Sequence, residues 1–360
     1  MEALNGIERI SRQLKHLPVD RIAVSEEFWN HTLRHWTEQG FFPAGASAAE
    51  HFNHDLDKFW TFNLKIDPRM ADRLIDEDAD TRTFLDGNGA KLRRHKAHDS
   101  TPEHLGYAIA ERGDWEEKAR PFLTVDPVRI DFAGYRARRR ACAEQGRFFC
   151  WSGVNVFEAI HPITGHENLL MGMALDPEWV REMADHYAEL QIGLFEILFE
   201  REGVPDGIWF YDDLGFRGRP FMSPEMFREL LMPAYRRLID FAHGRGLPVI
   251  LHSCGFVEPL LPLLIESGID CLQAMEVKAG MDLLRIYRAY GEKIALMGGL
   301  DVRPVASNDR EGIRRELEAK IPVVKGRNGF ILHTDHSIPE STEYETYRYF
   351  LECGLELGRY

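Results

Sequence analysis

The sequence predicts an α/β barrel built from parallel β/α units, and two observations support this. Short apolar runs alternate with helical stretches throughout the C-terminal half. Apolar strands that are buried on both faces and separated by helices are typical of a parallel sheet. No glycine-rich GxGxxG segment follows any of these runs, which weakens a doubly wound, dinucleotide-binding sheet. We therefore favour a β/α barrel over the doubly wound sheet.

The C-terminal half supplies the clearest elements. The predicted strands are the apolar runs Ile208–Tyr211, Pro248–His252, Ile269–Ala274, Lys293–Met297 and Gly329–His333. The predicted helices are Pro224–Arg245, Val257–Ser267, Met281–Tyr290, Asp309–Ile321 and Thr342–Leu357. Asp176-Pro177 and Ser223-Pro224 each place a capping residue before a first-turn proline. Thr342 and Glu345 have the spacing of a capping box.

The N-terminal half is less regular. Asp20–Val24 is predicted to be the first barrel strand and Arg147–Val156 a later one. Between them, the polar residues 76–120 are interpreted as an insertion or lid with a helix near Trp115–Arg120. The predicted fold is thus one TIM-like (β/α)8 barrel domain over residues 1–360, with an N-terminal insertion or lid at 76–120.

Composition excludes several classes of protein. Of 360 residues, 44 are Lys or Arg and 58 are Asp or Glu, which gives a net charge of −14 and argues against a nucleic-acid or anionic-membrane surface. No apolar run reaches the ~18 residues that a membrane span needs, and the first residues lack the apolar core of a secretory signal. The five cysteines, an odd number, indicate reduced thiols and a cytoplasmic location.

The first candidate site is the segment His252-Ser253-Cys254-Gly255, which closes the predicted strand PVILH. Active sites of β/α barrels lie at the carboxyl ends of the strands. A His and a Cys two residues apart can reach one ion, and imidazole and thiolate are the ligands that zinc prefers. Gly255 permits the sharp turn that follows. The alternative interpretation is a buried Cys beside a hydrogen-bonded His.

Glu276 follows the next predicted strand, IDCLQA, 22 residues after Cys254. Its carboxylate is expected at the same barrel mouth, where it could bind the same ion. The alternative is a surface salt bridge with Lys278.

The segment His333-Thr334-Asp335-His336 closes the strand GFILH. His336 could be a metal ligand or a general acid/base, and Asp335 could orient a histidine. The alternative is a polar loop in which these groups cap helices.

Asp212 and Asp213 close the strand IWFY. A carboxylate there could bind a cation, bind a metal or take a proton. Because side chains alternate along a strand, we expect one of the two to face the mouth. A helix-capping role is the alternative.

The order of these motifs resembles that of the uroporphyrinogen decarboxylase superfamily, and within it the zinc-dependent, corrinoid-linked methyltransferases. The resemblance is best from Asp206 onward, over DGIWFYDDLG, SPEMFRELLMPAYRRLID, GLPVILHSCG and GIDCLQAMEVKAGMD. It implies a β/α barrel. It also implies a methyltransferase that uses Zn²⁺ and a corrinoid carried on a partner protein, because this chain has no DxHxxG-type corrinoid-binding segment.

The resemblance also implies a ligand set. His252 and Cys254 match the His-x-Cys pair of those methyltransferases, and Glu276 is placed like a ligand of the more distant cobalamin-independent methionine synthases. The later Cys of the family is replaced by His336. The predicted metal ligands are therefore His252, Cys254, Glu276 and His336. Asp212, Asp213 and Asp335 are the predicted catalytic residues, which would move a proton or orient a ligand.

Two other functions stay open. A cofactor-free decarboxylase of a tetrapyrrole-like acid would use His336 and an aspartate for proton transfer. The arginine-rich RQAGRY signature of the decarboxylases is absent, however, and they lack the His-x-Cys pair. A barrel that binds a small molecule without turnover is the third hypothesis. The methyl donor and acceptor are not identified by the sequence, and the family is compatible with a homodimer.

Overall fold

The computed structural model describes residues 3–97 and 102–360. Residues 98–101 of the predicted insertion lie outside these ranges. The strands are β1 Ala23–Val24, β2 Leu56–Trp60, β3 Arg73–Glu77, β4 Thr81–Leu85, β5 Lys91–His95, β6 Glu103–Gly106, β7 Phe148–Val154, β8 Gly207–Tyr211, β9 Gly215–Phe216, β10 Arg219–Pro220, β11 Val249–Ser253, β12 Cys271–Ala274, β13 Ala295–Gly298 and β14 Phe330–Leu332.

The helices lie mainly between the strands. They are α1 Gly6–Gln13, α2 Asn30–Glu38, α3 Ala48–His51, α4 Arg112–Asp114, α5 Phe132–Glu144, α6 Val156–Leu175, α7 Pro177–Glu202, α8 Pro224–Met226, α9 Met232–His243, α10 Leu261–Glu266, α11 Leu283–Tyr290, α12 Val302–Ala306, α13 Arg310–Val324 and α14 Tyr344–Leu357. No helix in the described part of the chain is both long enough and apolar enough to cross a membrane.

Eight parallel strands form a nearly closed barrel, in the order β1-β14-β13-β12-β11-β8-β7-β2. This order follows the chain around the barrel. The seam between β1 and β2 is joined at Asp55, whose N–H donates to the Val24 carbonyl at 2.8 Å. The Asp55 carboxylate accepts from the Val24 N–H and from Arg9 and Arg21. The predicted (β/α)8 fold class is confirmed.

Two apolar layers hold the barrel together. The barrel interior is filled by inward-facing side chains of the strands and of α1, which include Leu56, Phe148, Trp209, Ile250 and Ile331. A larger layer lies between the strands and the surrounding helices. Since nearly all residues of β7, β8, β11, β12, β13 and β14 are buried, these strands are largely apolar runs.

A second sheet lies outside the barrel. Strands β3 to β6 form an antiparallel sheet of four strands within residues 73–106, in the order β3-β4-β5-β6. It reaches α6, where the His104 ring stacks on the His161 ring at 5.5 Å between centroids. This sheet overlaps the predicted insertion at 76–120. The division of the chain into one domain with a lid stays a prediction.

The helix caps differ in outcome. Asp176 caps α7 through the Trp179 N–H, and Ser223 caps α8 through the Met226 N–H, as the sequence predicts. The predicted capping box at Thr342 is wrong. Helix α14 begins one residue later than that box requires, with Glu343 as its N-cap and without a side-chain capping bond.

Candidate metal centre

His252 and Cys254 lie at the carboxyl end of β11. The Cys254 Sγ is 3.4 Å from the His252 Nε2. The turn after Cys254 depends on Gly255, whose φ of 78° is left-handed. A Cβ at Gly255 would lie 2.2 Å from the carbonyl carbon of Gly215. These two glycines therefore let the loops after β8 and β11 pack backbone against backbone.

This packing brings Asp213, from the loop after β8, to the same pair. The Asp213 Oδ1 is 3.4 Å from the His252 Nε2 and accepts a 2.8 Å hydrogen bond from the Cys254 N–H. Among the described residues, Asp213, His252 and Cys254 are the group in which imidazole, thiol and carboxylate atoms all lie within 4.8 Å of one another. We call these three residues the metal group.

The metal group fits zinc on its geometry. Zinc binds nitrogen and oxygen at ~2.0–2.1 Å and sulfur at ~2.3 Å in a tetrahedron, so bound atoms are about 3.3–3.6 Å apart. The two separations of 3.4 Å from the His252 Nε2 fall in this range. The His252 Nδ1 faces the Gln273 Oε1, which leaves Nε2 directed at the group. Three protein ligands leave one position for a substrate atom, as in catalytic zinc sites.

Burial and mutual contacts shift the pKa values of Cys254 and His252 in the metal group. Burial raises the pKa of the Cys254 thiol although His252 opposes this. Burial acts to lower the pKa of His252, but Cys254 and Asp213 outweigh it and hold that pKa well above its ordinary value. A metal needs a neutral imidazole and a thiolate. A bound cation would thus replace protons that the group otherwise holds.

Glu276 and His336, predicted as ligands, lie outside this group. The Glu276 Oε2 accepts a 2.8 Å hydrogen bond from the Gly255 N–H, and its Oε1 is 3.2 Å from the Lys278 Nζ. Glu276 therefore supports the turn that carries Cys254. The His336 Nδ1 is 3.4 Å from the Ser337 carbonyl. Burial lowers the pKa of His336, which favours the neutral ring. The ligand roles of both residues stay predictions.

Asp212 and Asp335 are buried, and their carboxylates accept hydrogen bonds from neighbouring segments. Asp212 accepts from the Tyr235 hydroxyl and, at 2.6 Å, from the Glu158 N–H at the start of α6. Burial raises its pKa well above the ordinary value. The two carboxylate oxygens of Asp335 accept from the backbone N–H groups of Val277 and Val302, at 2.7 and 2.8 Å. Their proposed roles in proton transfer stay predictions.

Sequence reasoning missed a polar group beside His252. The Tyr211 ring lies 5.0 Å from the His252 ring, and its hydroxyl donates a 2.5 Å hydrogen bond to Glu27. The Lys58 Nζ lies 2.7 Å from the same carboxylate. Tyr211, Glu27 and Lys58 line a cavity of about 810 Å³ at the barrel mouth. The signal was present for Glu27, which follows the first predicted strand as the other candidates follow theirs.

A second cavity, of about 600 Å³, lies between the barrel mouth and the antiparallel sheet. Trp60, Trp151 and Glu158 line it, together with Asn88 from the turn between β4 and β5. Trp151 also belongs to a set of buried aromatic residues. This set consists of Phe148, Phe149, Trp151 and Phe157.

Comparison with known proteins agrees with this architecture. A methyltransferase from Methanosarcina mazei has a similar fold, with a TM-score of 0.68 over 98% of this chain and 99% of that one, at 15% sequence identity. A methylated-thiol–coenzyme M methyltransferase of M. mazei is 28% identical over 149 residues, which is 41% of this chain and 37% of that protein. A uroporphyrinogen decarboxylase of Streptomyces coelicolor is 24% identical over 182 residues, or 51% of this chain and 48% of that protein.

Each of these two curated relatives is matched over less than half of its length. The family model described as uroporphyrinogen decarboxylase (URO-D) matches residues 156–356, which is more than half of the chain and includes all three residues of the metal group. The chain belongs to the uroporphyrinogen decarboxylase family.

Proposed function

We propose that this protein is a zinc-dependent methyltransferase. It would move a methyl group between a small substrate (a thiol, a methyl ether or an alcohol) and a corrinoid carried on a separate protein. The metal group carries the proposal, because Cys254, His252 and Asp213 present the donor set and spacing of a catalytic zinc site. The similarity to a methylated-thiol–coenzyme M methyltransferase supports methyl transfer.

In this mechanism Asp213, His252 and Cys254 would hold the ion. Zinc, when bound, supplies a Lewis acid that lowers the pKa of a thiol or polarises a methyl ether or alcohol oxygen. Glu276 holds the Gly255 N–H and thereby keeps the turn in place. The cavity lined by Tyr211, whose ring lies 5.0 Å from the His252 ring, would admit the substrate.

The decarboxylase alternative rests on the similarity to the S. coelicolor protein. Proton transfer to a pyrrole-like acid does not require a thiol beside an imidazole, so the metal group favours methyl transfer. The arginines that line the two mouth cavities are also engaged. Arg129 donates only to backbone carbonyls, and Arg138 is paired with Asp57 at 2.7 Å. Neither guanidinium is free for a substrate carboxylate.

The zinc content of the purified, tag-free protein tests the proposal. We expect close to one zinc ion per chain in the unmodified protein and a strong loss in Cys254→Ser. Cys353→Ser is the matched control, because Cys353 is a buried thiol in the layer between barrel and helices. A zinc content near zero after anaerobic reconstitution would refute the proposal.

Methyl transfer is then measured directly. Zinc-loaded protein is mixed with a methylated corrinoid protein and a small thiol, and the methyl-cobalt absorption is followed. Transfer that is lost in Cys254→Ser and kept in Cys353→Ser supports the assignment. Zinc binding without transfer to or from any thiol, methyl ether or alcohol would refute the reaction. Release of CO₂ from a tetrapyrrole acid without zinc would establish the decarboxylase alternative.

A further inference from the structure

A row of hydrogen-bonded side chains lies directly behind His252. The His252 Nδ1 contacts the Gln273 Oε1 on the neighbouring strand β12. The Gln273 Nε2 lies 3.4 Å from Nε2 and 3.5 Å from Nδ1 of His333, just after β14. The His333 Nδ1 lies 3.0 Å from the Oε1 of Glu26, just after β1. The row therefore crosses the barrel, and its last three side chains are almost fully buried.

The donor and acceptor of each hydrogen bond in this row follow from the contacts at Glu26. The His333 Nδ1 faces two atoms that only accept hydrogen bonds, the Glu26 Oε1 and the Thr334 carbonyl oxygen at 2.7 Å. That nitrogen must carry a proton. The Glu26 carboxylate also accepts from the backbone N–H groups of Thr334 and Glu27, at 2.9 and 3.0 Å. With the His333 Nδ1–H, three donors surround one carboxylate and keep it an acceptor.

The remaining protons follow from this first one. An imidazole that carries its one proton on Nδ1 offers a lone pair at Nε2, so the Gln273 amide donates to the His333 Nε2. The amide oxygen of Gln273 then faces the His252 Nδ1 and accepts its proton. When the His252 ring is neutral, as metal binding requires, its Nε2 is left with a lone pair directed at the Cys254 Sγ and the Asp213 Oδ1, each 3.4 Å away.

We propose that Gln273, oriented by His333 and Glu26, fixes the tautomer of His252 that leaves Nε2 free to bind a divalent transition metal. The three are positioning residues and do not touch the metal. The metal-binding part of this inference rests on the proposed function, whereas the tautomer part does not. A hydrogen bond to the second ring nitrogen generally decides which nitrogen binds a metal, and its loss lowers metal affinity about 10–100-fold.

The tautomer is measured in protein that cannot load the metal. In the double variant Asp213→Asn, Cys254→Ser, labelled with ¹⁵N-histidine, long-range ¹H–¹⁵N spectra above pH 7 report which ring nitrogen of His252 and His333 is protonated. We expect Nδ1 for both. Gln273→Met in this background should release the proton of His252 to Nε2 and leave His333 unchanged. Gln273→Glu, which keeps an acceptor, should preserve Nδ1–H on His252.

Zinc affinity of the otherwise unmodified protein gives the second measurement, by competition with a chromophoric chelator. Gln273→Met should weaken zinc binding about 10–100-fold, and Gln273→Glu should recover most of it. Gln191→Met is the matched control, since Gln191 is fully buried and its amide atoms have no partner among the described residues. Circular dichroism checks that each variant is folded.

A proton on Nε2 of either His252 or His333 in the metal-free double variant overturns the inference, and this result needs no variant of Gln273. Unchanged zinc affinity in folded Gln273→Met also overturns it. Failure of the proposed function looks different: the unmodified protein binds no zinc while both histidines show the expected Nδ1–H tautomer.

Discussion

The acid sensitivity of this protein is predicted to depend on His54, a fully buried residue whose Nε2 lies 2.9 Å from the Tyr347 hydroxyl. Burial lowers the pKa of His54 from 6.5 to about 3. Between these values the unfolded chain binds a proton that the folded protein does not bind. Stability is therefore lost as the pH falls through 6.5, and the loss saturates near pH 3.

The size of this loss follows from the two pKa values. One pKa unit corresponds to about 1.4 kcal/mol, and pH 5 lies 1.5 units below the unfolded-state pKa of 6.5. His54 should therefore contribute about 2 kcal/mol to the destabilisation between pH 7 and pH 5. The variant His54→Gln removes the titration and keeps a polar group near Tyr347.

Urea unfolding followed by circular dichroism at pH 7 and pH 5 tests this prediction. The free energy of unfolding of the unmodified protein should fall by about 2 kcal/mol more than that of His54→Gln. Other titrating groups are common to both proteins and cancel in this difference. Equal losses in the two proteins would show that His54 is protonated in the folded state or is open to water, which would refute the reasoning.

Two further predictions compare matched variants. Gly255→Ala should lower the free energy of unfolding by at least about 3 kcal/mol and weaken zinc binding, because its Cβ would lie 2.2 Å from the Gly215 carbonyl carbon. Gly246 also has a left-handed φ but has open space around it, so Gly246→Ala should lower the free energy of unfolding by about 1 kcal/mol. Equal costs, measured by urea unfolding, would contradict the close packing. Arg129→Met should cost at least about 3 kcal/mol, since its guanidinium donates to five buried or partly buried carbonyls. Arg140→Met, at the exposed ion pair with Glu144, should barely move the unfolding midpoint. Similar shifts in the two variants would rule out a structural role for the hydrogen bonds from Arg129 to these five carbonyls.

The barrel strands of the C-terminal half were predictable because nearly all of their residues are buried. Strand β2 was not predicted, and the cause is a charged residue in the middle of the strand. Lys58 sits in its middle with Nζ 3.9 Å from the centroid of the Trp209 ring inside the barrel, so a charge interrupts the apolar run. Helix α6 also escaped prediction, since Pro162 and the left-handed Gly165 lie within it.

The candidate site was predictable only in part. The His-x-Cys pair is local in sequence, so His252 and Cys254 could be named together. Asp213 could be named as a strand-end carboxylate, but its place in the metal group depends on the packing of two glycine-containing loops. Gln273 gave no signal, because one amide in an apolar strand is indistinguishable from an ordinary buried residue.

The closure of the barrel between β1 and β2, at Asp55, has a consequence for any shortened fragment of the protein. The family segment, residues 156–356, contains five of the eight barrel strands, whereas β1, β2 and β7 precede it. A fragment limited to that segment would leave β8 and β14 as unpaired sheet edges and would uncover much of the barrel interior. Exposed edges of this kind pair with other chains and aggregate. We therefore expect the unit that folds to be longer than the segment that the family model matches.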